Sequence, residues 1–399
     1  MKRFTAAFLA TVLCLGAFAQ QKVVSPKSRG MDQDHLALVD GVIEEAISAG
    51  TIPGAVLSVV RGDDIVWLKA YGNKSVVPEV VPMTTETMFD LASCSKVMGT
   101  TLAIMQLIEN GRLLPEDKVS LFIPDFAPWT DPETGEEVQI RVRDLLTHSS
   151  GLSPYIDVNT FVKEYGENCP ELLERFIATK VKRNFRPGTD CMYSCLNFIT
   201  LQRILEKLTG QKLYEYVQEH IFDPLSLKHT CYFPLDPSLP KLPGIDYDAL
   251  AALCAPTTVQ ADGLPLVARV HDPLARRIMG GNSGNAGMFS DARDLSTLCS
   301  AIMKRGGNIL RPMTTRLMVT VPAENDPKVG RTLGWDTKSG REATIMHTGY
   351  TGTSVEIDLK TRTAVILLTN RVHPEDKGSV SRLRSQISNI VASSIKYYY

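Results

Sequence analysis

The sequence predicts an α/β chain of the α+β kind: one antiparallel sheet flanked by helices, built from both chain ends, with a mainly helical region inserted between them. Three observations carry this. Strand-like runs pair near the front (54–60 and 65–71) and again near the back (353–359 and 363–368). A helical pattern stands beside each pair. The stretch between, about 112–287, mixes helices with proline-rich loops and shows no internal repeat.

Taken in order, residues 1–19 read as a signal peptide. Lys2 and Arg3 give a positive start, residues 4–15 an apolar run, and Ala17-Phe18-Ala19 a small-x-small cleavage site. Export to a periplasm or beyond follows. Cys14 is not read as a lipidation site, because bulky Leu13 precedes it. No later segment approaches the roughly 20 apolar residues of a membrane span. Residues 20–32 are polar and aperiodic and are expected to form an exposed leader. The domain proper is expected over 33–395, its sheet part at about 33–111 and 288–395 and its helical part at about 112–287.

Between about 32 and 49, Leu36, Val39, Val42, Ile43, Ala46 and Ile47 recur at helical spacing, and Gly50 ends the pattern. Arg61-Gly62-Asp63-Asp64 reads as a hairpin turn between the first two strands. Ser93 opens a helix expected at 96–110 and closed by Gly111. In the insert, helices are expected at 143–148, 172–179 and 197–209, the last stopped by Gly210. The back strands turn through Lys360-Thr361-Arg362, and a final helix covers about 378–395.

Composition narrows the function. Basic residues (43) almost balance acidic ones (44), so nothing favours nucleic acid or an anionic membrane, and the expected partner is a small-molecule or peptide substrate. Without Cys14 an odd set of cysteines remains, so at least one thiol per chain is unpaired. Most read as small core residues. No Cys-x-x-Cys or His-Glu-x-x-His occurs, and no metal or cofactor is expected.

The chemistry starts at Ser93-Cys94-Ser95-Lys96. Positions i and i+3 of a helix share a face about 5–6 Å apart, so the lysine amine reaches the serine hydroxyl. A helix N-terminus disfavours the protonated amine and offers N–H groups to an oxyanion. Cys94, one residue on, points about 100° away and reads as packing. The pattern alone is weak: Ser238–Lys241 and Ser393–Lys396 match it too, one containing Pro240 and the other at the chain end. Two further segments add to it, Tyr193-Ser194-Cys195 before a helix and His347-Thr348-Gly349 before a strand.

With Phe89-Asp90-Leu91-Ala92-Ser93, these segments stand in the order of the serine β-lactamase and penicillin-binding protein family, which the chain resembles from about 33 to 395. Asp144-Leu145-Leu146-Thr147-His148-Ser149-Ser150-Gly151-Leu152, the run 280–290 and Leu333-Gly334-Trp335-Asp336 support the likeness. It is nearest the class C β-lactamase branch with its D-alanyl-D-alanine carboxypeptidases and esterases. The resemblance implies a β-lactamase/transpeptidase-like fold and an acyl-enzyme at Ser93. Lys96 would be the proton partner, and Tyr193 the exchanger of protons with serine and leaving group. His347 would line the cleft, Cys195, Thr348 and Gly349 would meet substrate, and the N–H groups of Ser93 and Tyr350 would form the oxyanion hole. It also implies peptidoglycan fragments as partners.

Two departures matter. The second motif ends in Cys195 where the family has asparagine, and a thiol donates poorly to a substrate carbonyl. The third begins with His347 rather than lysine, and a histidine (pKa ~6.5) offers no permanent charge to a substrate carboxylate. The expected function is an exported D-alanyl-peptide hydrolase. A carboxylesterase of the same family and a non-catalytic binder of cell-wall fragments are the alternatives. His148 reads as a hydrogen-bonded structural residue, and the glycine-rich run from Gly280 as a loop lining the cleft.

Overall fold

The structure, a computed structural model, describes residues 21–337 and 341–397. The signal-peptide reading of 1–19 lies outside the described residues. β1 (Gly54–Arg61) and β2 (Asp64–Ser75) form a hairpin, and β3 (Val81–Pro82) pairs beyond β2. From the back of the chain come β9 (Thr344–Thr348), β10 (Ser354–Asp358) and β11 (Thr363–Thr369). The six make one antiparallel sheet in the order β3-β2-β1-β11-β10-β9. The two chain ends therefore meet at β1 and β11, both buried along their whole length. That burial explains why their sequences are continuous apolar runs rather than alternating ones.

Each sheet face has its own core. Leu57, Val59 and Leu367 pack under α2 (Leu38–Ser48) and α12 (Ser381–Ser393) through Val39, Ile43, Leu383 and Ile387. Val56, Val60, Ile366 and Leu368 point the other way, into the large core shared with α10 (Ala292–Met303) and the insert.

The leader expectation is corrected. Val24 N–H donates to Ile65 O, Ile65 N–H donates to Lys22 O, and Met31 is buried in a bridge to Ile395. The open edge of β2 takes up this polar-looking segment, because unpaired strand groups near a core need partners. The first helix is also interrupted: Asp32 caps a short α1 (Gln33–Leu36) before α2 begins at Leu38.

The helix carrying the serine begins earlier than its pattern suggests. Ala92–Cys94 is a 3₁₀ turn, Lys96–Thr100 is π-wound, and α3 (Thr101–Glu109) follows. The insert holds a small hairpin, β5 (Trp129–Thr130) and β6 (Glu137–Val138), then α4 (Val142–Leu146), α5 (Val158–Tyr165) and α6 (Pro170–Thr179). Its axis is α7 (Cys195–Thr209), on which every residue from Leu196 to Leu205 is buried. A three-stranded sheet joins the parts, with β8 (Met288–Ser290) between β4 (Phe89–Asp90) and β7 (Cys231–Tyr232).

Replacing fully buried Ile366 by alanine removes packing at the seam between the chain ends. It is expected to lower unfolding free energy by about 2–5 kcal/mol, read as a lower urea midpoint at unchanged m-value.

Candidate active site

Strand β4 delivers the chain to Ser93 through a strained turn. Ala92 has φ of +45°, a conformation that alanine avoids. Asp90 holds it there: its carboxylate accepts the Ala92 N–H at 2.8 Å and the His271 N–H at 2.6 Å. The third segment clamps the same turn, with Thr351 Oγ1 donating to Asp90 O at 2.7 Å and Thr353 Oγ1 donating to Leu91 O at 3.0 Å. Gly349 is required by this closeness, since a Cβ there would lie 2.4 Å from Leu91 O. Cys94 is packed, its thiol against His347 O.

Lys96 is fully buried. Its Nζ lies 3.2 Å from Ser93 Oγ, 2.7 Å from Asn285 O and 3.6 Å from Cys195 Sγ. Burial opposes its charge, but Cys195 and Tyr193 outweigh burial, and its pKa stands above that of free lysine. This differs from the sequence expectation of a depressed pKa: the partners, not the helix N-terminus, dominate. The glycine-rich loop lies beneath the centre and gives Lys96 the Asn285 carbonyl, rather than lining the cleft.

Tyr193 stands opposite, its ring 5.1 Å from Lys96 Nζ, and its hydroxyl interacts with both Ser93 and Lys96. Burial raises the phenol's pKa, and Lys96 pulls against that rise. His148 holds this segment from behind. Its Nδ1 accepts the Ser194 N–H at 3.0 Å and faces Asn197 Nδ2 at 3.3 Å, and its ring packs at a tilt against that of Tyr193, centroids 4.4 Å apart. Burial drives its pKa well below the usual histidine value, and the charges of Arg331 and Lys96 add to that. It is a neutral brace.

The third segment stands just before strand β10, as expected, and also ends the strand ahead of it, β9. His347 sits 5.9 Å from Tyr193, ring to ring. Its Nδ1 contacts Thr348 O at 2.9 Å, which places the proton on Nδ1 and leaves Nε2 a buried acceptor without a partner. Burial first, then Arg331 and Lys96, keep it neutral. Ser93, Tyr193, His347, Thr348, Gly349 and Tyr350 line one cleft of about 450 Å³. Cys195 lies deeper, at the start of α7.

Sequence reading missed Arg331. It is buried, lines the cleft, lies 5.7 Å from the Tyr193 ring and pairs with Asp336 at 2.9 Å, while Nε and Nη1 lack partners. Its signal was its place beside Leu333-Gly334-Trp335-Asp336. Gly334 adopts φ of +93° against Thr101, and buried Trp335 anchors the turn that aims the arginine.

A buried amine on a serine hydroxyl, one turn apart and faced by a phenol, defines the class of serine acyl hydrolases. The chain matches the Beta-lactamase family over residues 39–387 and belongs to it. It is 32% identical to an N-acetylmuramyl-L-alanine amidase of Bacillus subtilis (strain 168), covering 92% of this chain and 88% of that one. It is 29% identical to a D-alanyl-D-alanine carboxypeptidase assignment in Escherichia coli (strain K12), covering 92% and 89%. Among solved structures, EstCE1, a hydrolase with promiscuous acyltransferase activity, superimposes with a TM-score of 0.69 at 25% identity over 90% of this chain and 98% of that one. The protein is a serine hydrolase of this family. Among the described residues, no helix is long and apolar enough to cross a membrane.

Asp90 generates a pH prediction. Burial pushes its pKa up to about 6, above an unfolded value of ~3.9. Its protonation therefore favours the fold: that contribution is present below the unfolded pKa and lost as pH rises through about 6. Activity runs the opposite way, because a neutral carboxyl gives up one of the two N–H bonds holding the Ser93 turn. The expected kcat profile falls below about pH 6 without a matching loss of melting temperature from this group. Asp90→Asn should lower kcat about 10–100-fold and remove that acid limb.

Proposed function

We propose that Ser93 is the nucleophile of an acyl-enzyme mechanism and that Lys96, Tyr193 and His347 serve it. The observation that carries this reading is the 3.2 Å contact between Nζ of the fully buried Lys96 and Oγ of Ser93, which lines the cleft. Lys96 and Tyr193 titrate as one coupled unit. The state that reacts is the one in which this unit has already released one proton; as Ser93 attacks, its proton fills that vacancy, and Tyr193 then hands a proton to the leaving group. The N–H groups of Ser93 and Tyr350 receive the oxyanion. Water then repeats the sequence to free the acid. His347 Nε2, an acceptor, steadies the Tyr193 hydroxyl or the leaving N–H.

The substrate proposed is an amide of cell-wall peptide whose leaving group carries a carboxylate. Arg331 supports this: it supplies the permanent charge that His347 lacks, on the Tyr193 side where the leaving group departs. The names of the Bacillus and Escherichia relatives, an amidase and a D-alanyl-D-alanine carboxypeptidase, fit such a bond. The basic start, apolar run and small-x-small site of residues 1–19 support export ahead of action on such material. A second reading, a carboxylesterase, is favoured by Cys195, because a thiol replaces the amide donor and esters need less carbonyl activation than amides.

A fluorophosphonate or fluorescent penicillin is expected to leave covalent mass on the Ser93 peptide. No adduct from either reagent, in folded protein that turns over no ester, would falsify the acyl-enzyme reading. Peptide turnover at least comparable to that of p-nitrophenyl butyrate supports the amidase reading, and a preference for the ester by orders of magnitude supports the other. Arg331→Ala is expected to cut kcat/KM for the carboxylate-bearing peptide by the equivalent of about 2–5 kcal/mol, with a far smaller loss on the butyrate ester.

A further inference from the structure

We propose that the Asn285 side chain is a positioning residue of the acid–base set: its amide backs the Cys195 sulfur against Lys96 and so aims the amine at Ser93. The glycine-rich loop thereby supplies the amide that the second motif lacks. This rests on the acyl-enzyme reading above and adds a residue to it.

Lys96 Nζ can donate in three directions, and the site meets them with Ser93 Oγ, Asn285 O and Cys195 Sγ. Two of these are oxygens. The third is a thiol sulfur at 3.6 Å, by itself a weak acceptor. A second donor reaching the same sulfur raises its negative character, and it then holds the amine more firmly. Asn285 offers that donor. The residue is 1% exposed, and its Oδ1 accepts Ser283 Oγ at 2.6 Å, which turns Nδ2 the other way. Nδ2 is buried and closes no hydrogen bond of normal geometry, yet the side chain acts as a donor on the Cys195 thiol. A buried donor left in that state is costly unless the site uses it. Burial raises the Cys195 pKa, and Lys96 and the Asn285 amide pull against that rise.

The loop is tied to both elements it serves. Gln202 Oε1 accepts the Gly284 N–H at 2.7 Å, and Gln202 Nε2 donates to Asn282 O at 2.9 Å. Helix α7 thus carries the sulfur at its first residue and, two turns on, the glutamine that fixes the loop behind it. Thr100, in the π-wound turn that begins at Lys96, donates to Gly284 O at 2.8 Å. Besides Lys96, the titratable groups facing Cys195 are Tyr193 ahead of α7 and, from elsewhere in the insert, Tyr155 and Asp272.

The test is a double-mutant cycle on hydrolysis of p-nitrophenyl butyrate. Asn285→Ala is expected to lower kcat about tenfold with little change in KM, because the amine is misaimed while substrate binding is kept. In a Cys195→Asn background the new side chain accepts from Lys96 through its own carbonyl oxygen, and Asn285→Ala is expected to cost less than about threefold. An equal cost in both backgrounds overturns the proposal. Ser283→Ala, which frees the amide to turn away, takes the place of Asn285→Ala in the same cycle if that variant fails to fold. Asn285→Asp gives a readout that packing alone does not move. A carboxylate in place of the donor holds the Lys96–Tyr193 proton longer, so the rise of kcat/KM with pH is expected to move up by about one unit. An unmoved rise overturns the proposal, and it decides by itself if Cys195→Asn is inactive. Fluorophosphonate labelling of the wild type separates the two levels. Labelled enzyme with an additive cycle refutes the role of Asn285 alone, whereas unlabelled enzyme that turns over no ester refutes the acyl-enzyme reading with it.

Discussion

The structure is organised around one constraint, a lysine amine with no access to water held against a serine hydroxyl. Removing an ammonium from water costs several kcal/mol unless hydrogen bonds and opposite charge replace its hydration. Here the replacements come from three places far apart in sequence: Ser93 Oγ on its own helix, the Asn285 carbonyl from the glycine-rich loop, and Cys195 with Tyr193 at the head of α7. The sheet part and the inserted part must therefore close on each other for Lys96 to be tolerated at all. Folding and catalytic competence share a requirement.

The same closure explains the strain beside the serine. Ala92 is held at positive φ by a carboxylate that also takes an N–H from His271, in the insert. Asp90 thus joins the two parts at the residue before Ser93, and Thr351 and Thr353 fasten the turn to the end of β9. Strain of this kind persists only where surrounding contacts over-determine it, and the contacts here come from β4, the insert and the connection between β9 and β10.

Electrostatically the cleft is divided. Both imidazoles near Tyr193 are neutral, because burial and the neighbouring cations suppress their charge. Permanent positive charge resides on guanidiniums along the wall. Neutral histidines can brace and accept, and arginines can hold carboxylates in a forked geometry. With histidine in the third motif, the permanent positive charge of this cleft lies on arginines outside that motif.

The sequence by itself determined the local patterns. The continuous apolar runs named β1 and β11, the Ser93–Lys96 spacing put an amine within reach of a hydroxyl, and the motif order named the family. Such signals are readable because they depend on neighbours within a few residues along the chain. Tertiary structure alone decided the rest. It put residues 22–24 on the edge of β2 and Met31 against Ile395, began the Ser93 helix at Ala92, seated Asn285 under Lys96, and aimed Arg331 and Arg384 into the cleft. An arginine in a polar stretch carries no periodicity to betray it. Its role arises from burial and from which carboxylates end up near it, and both are properties of the closed fold.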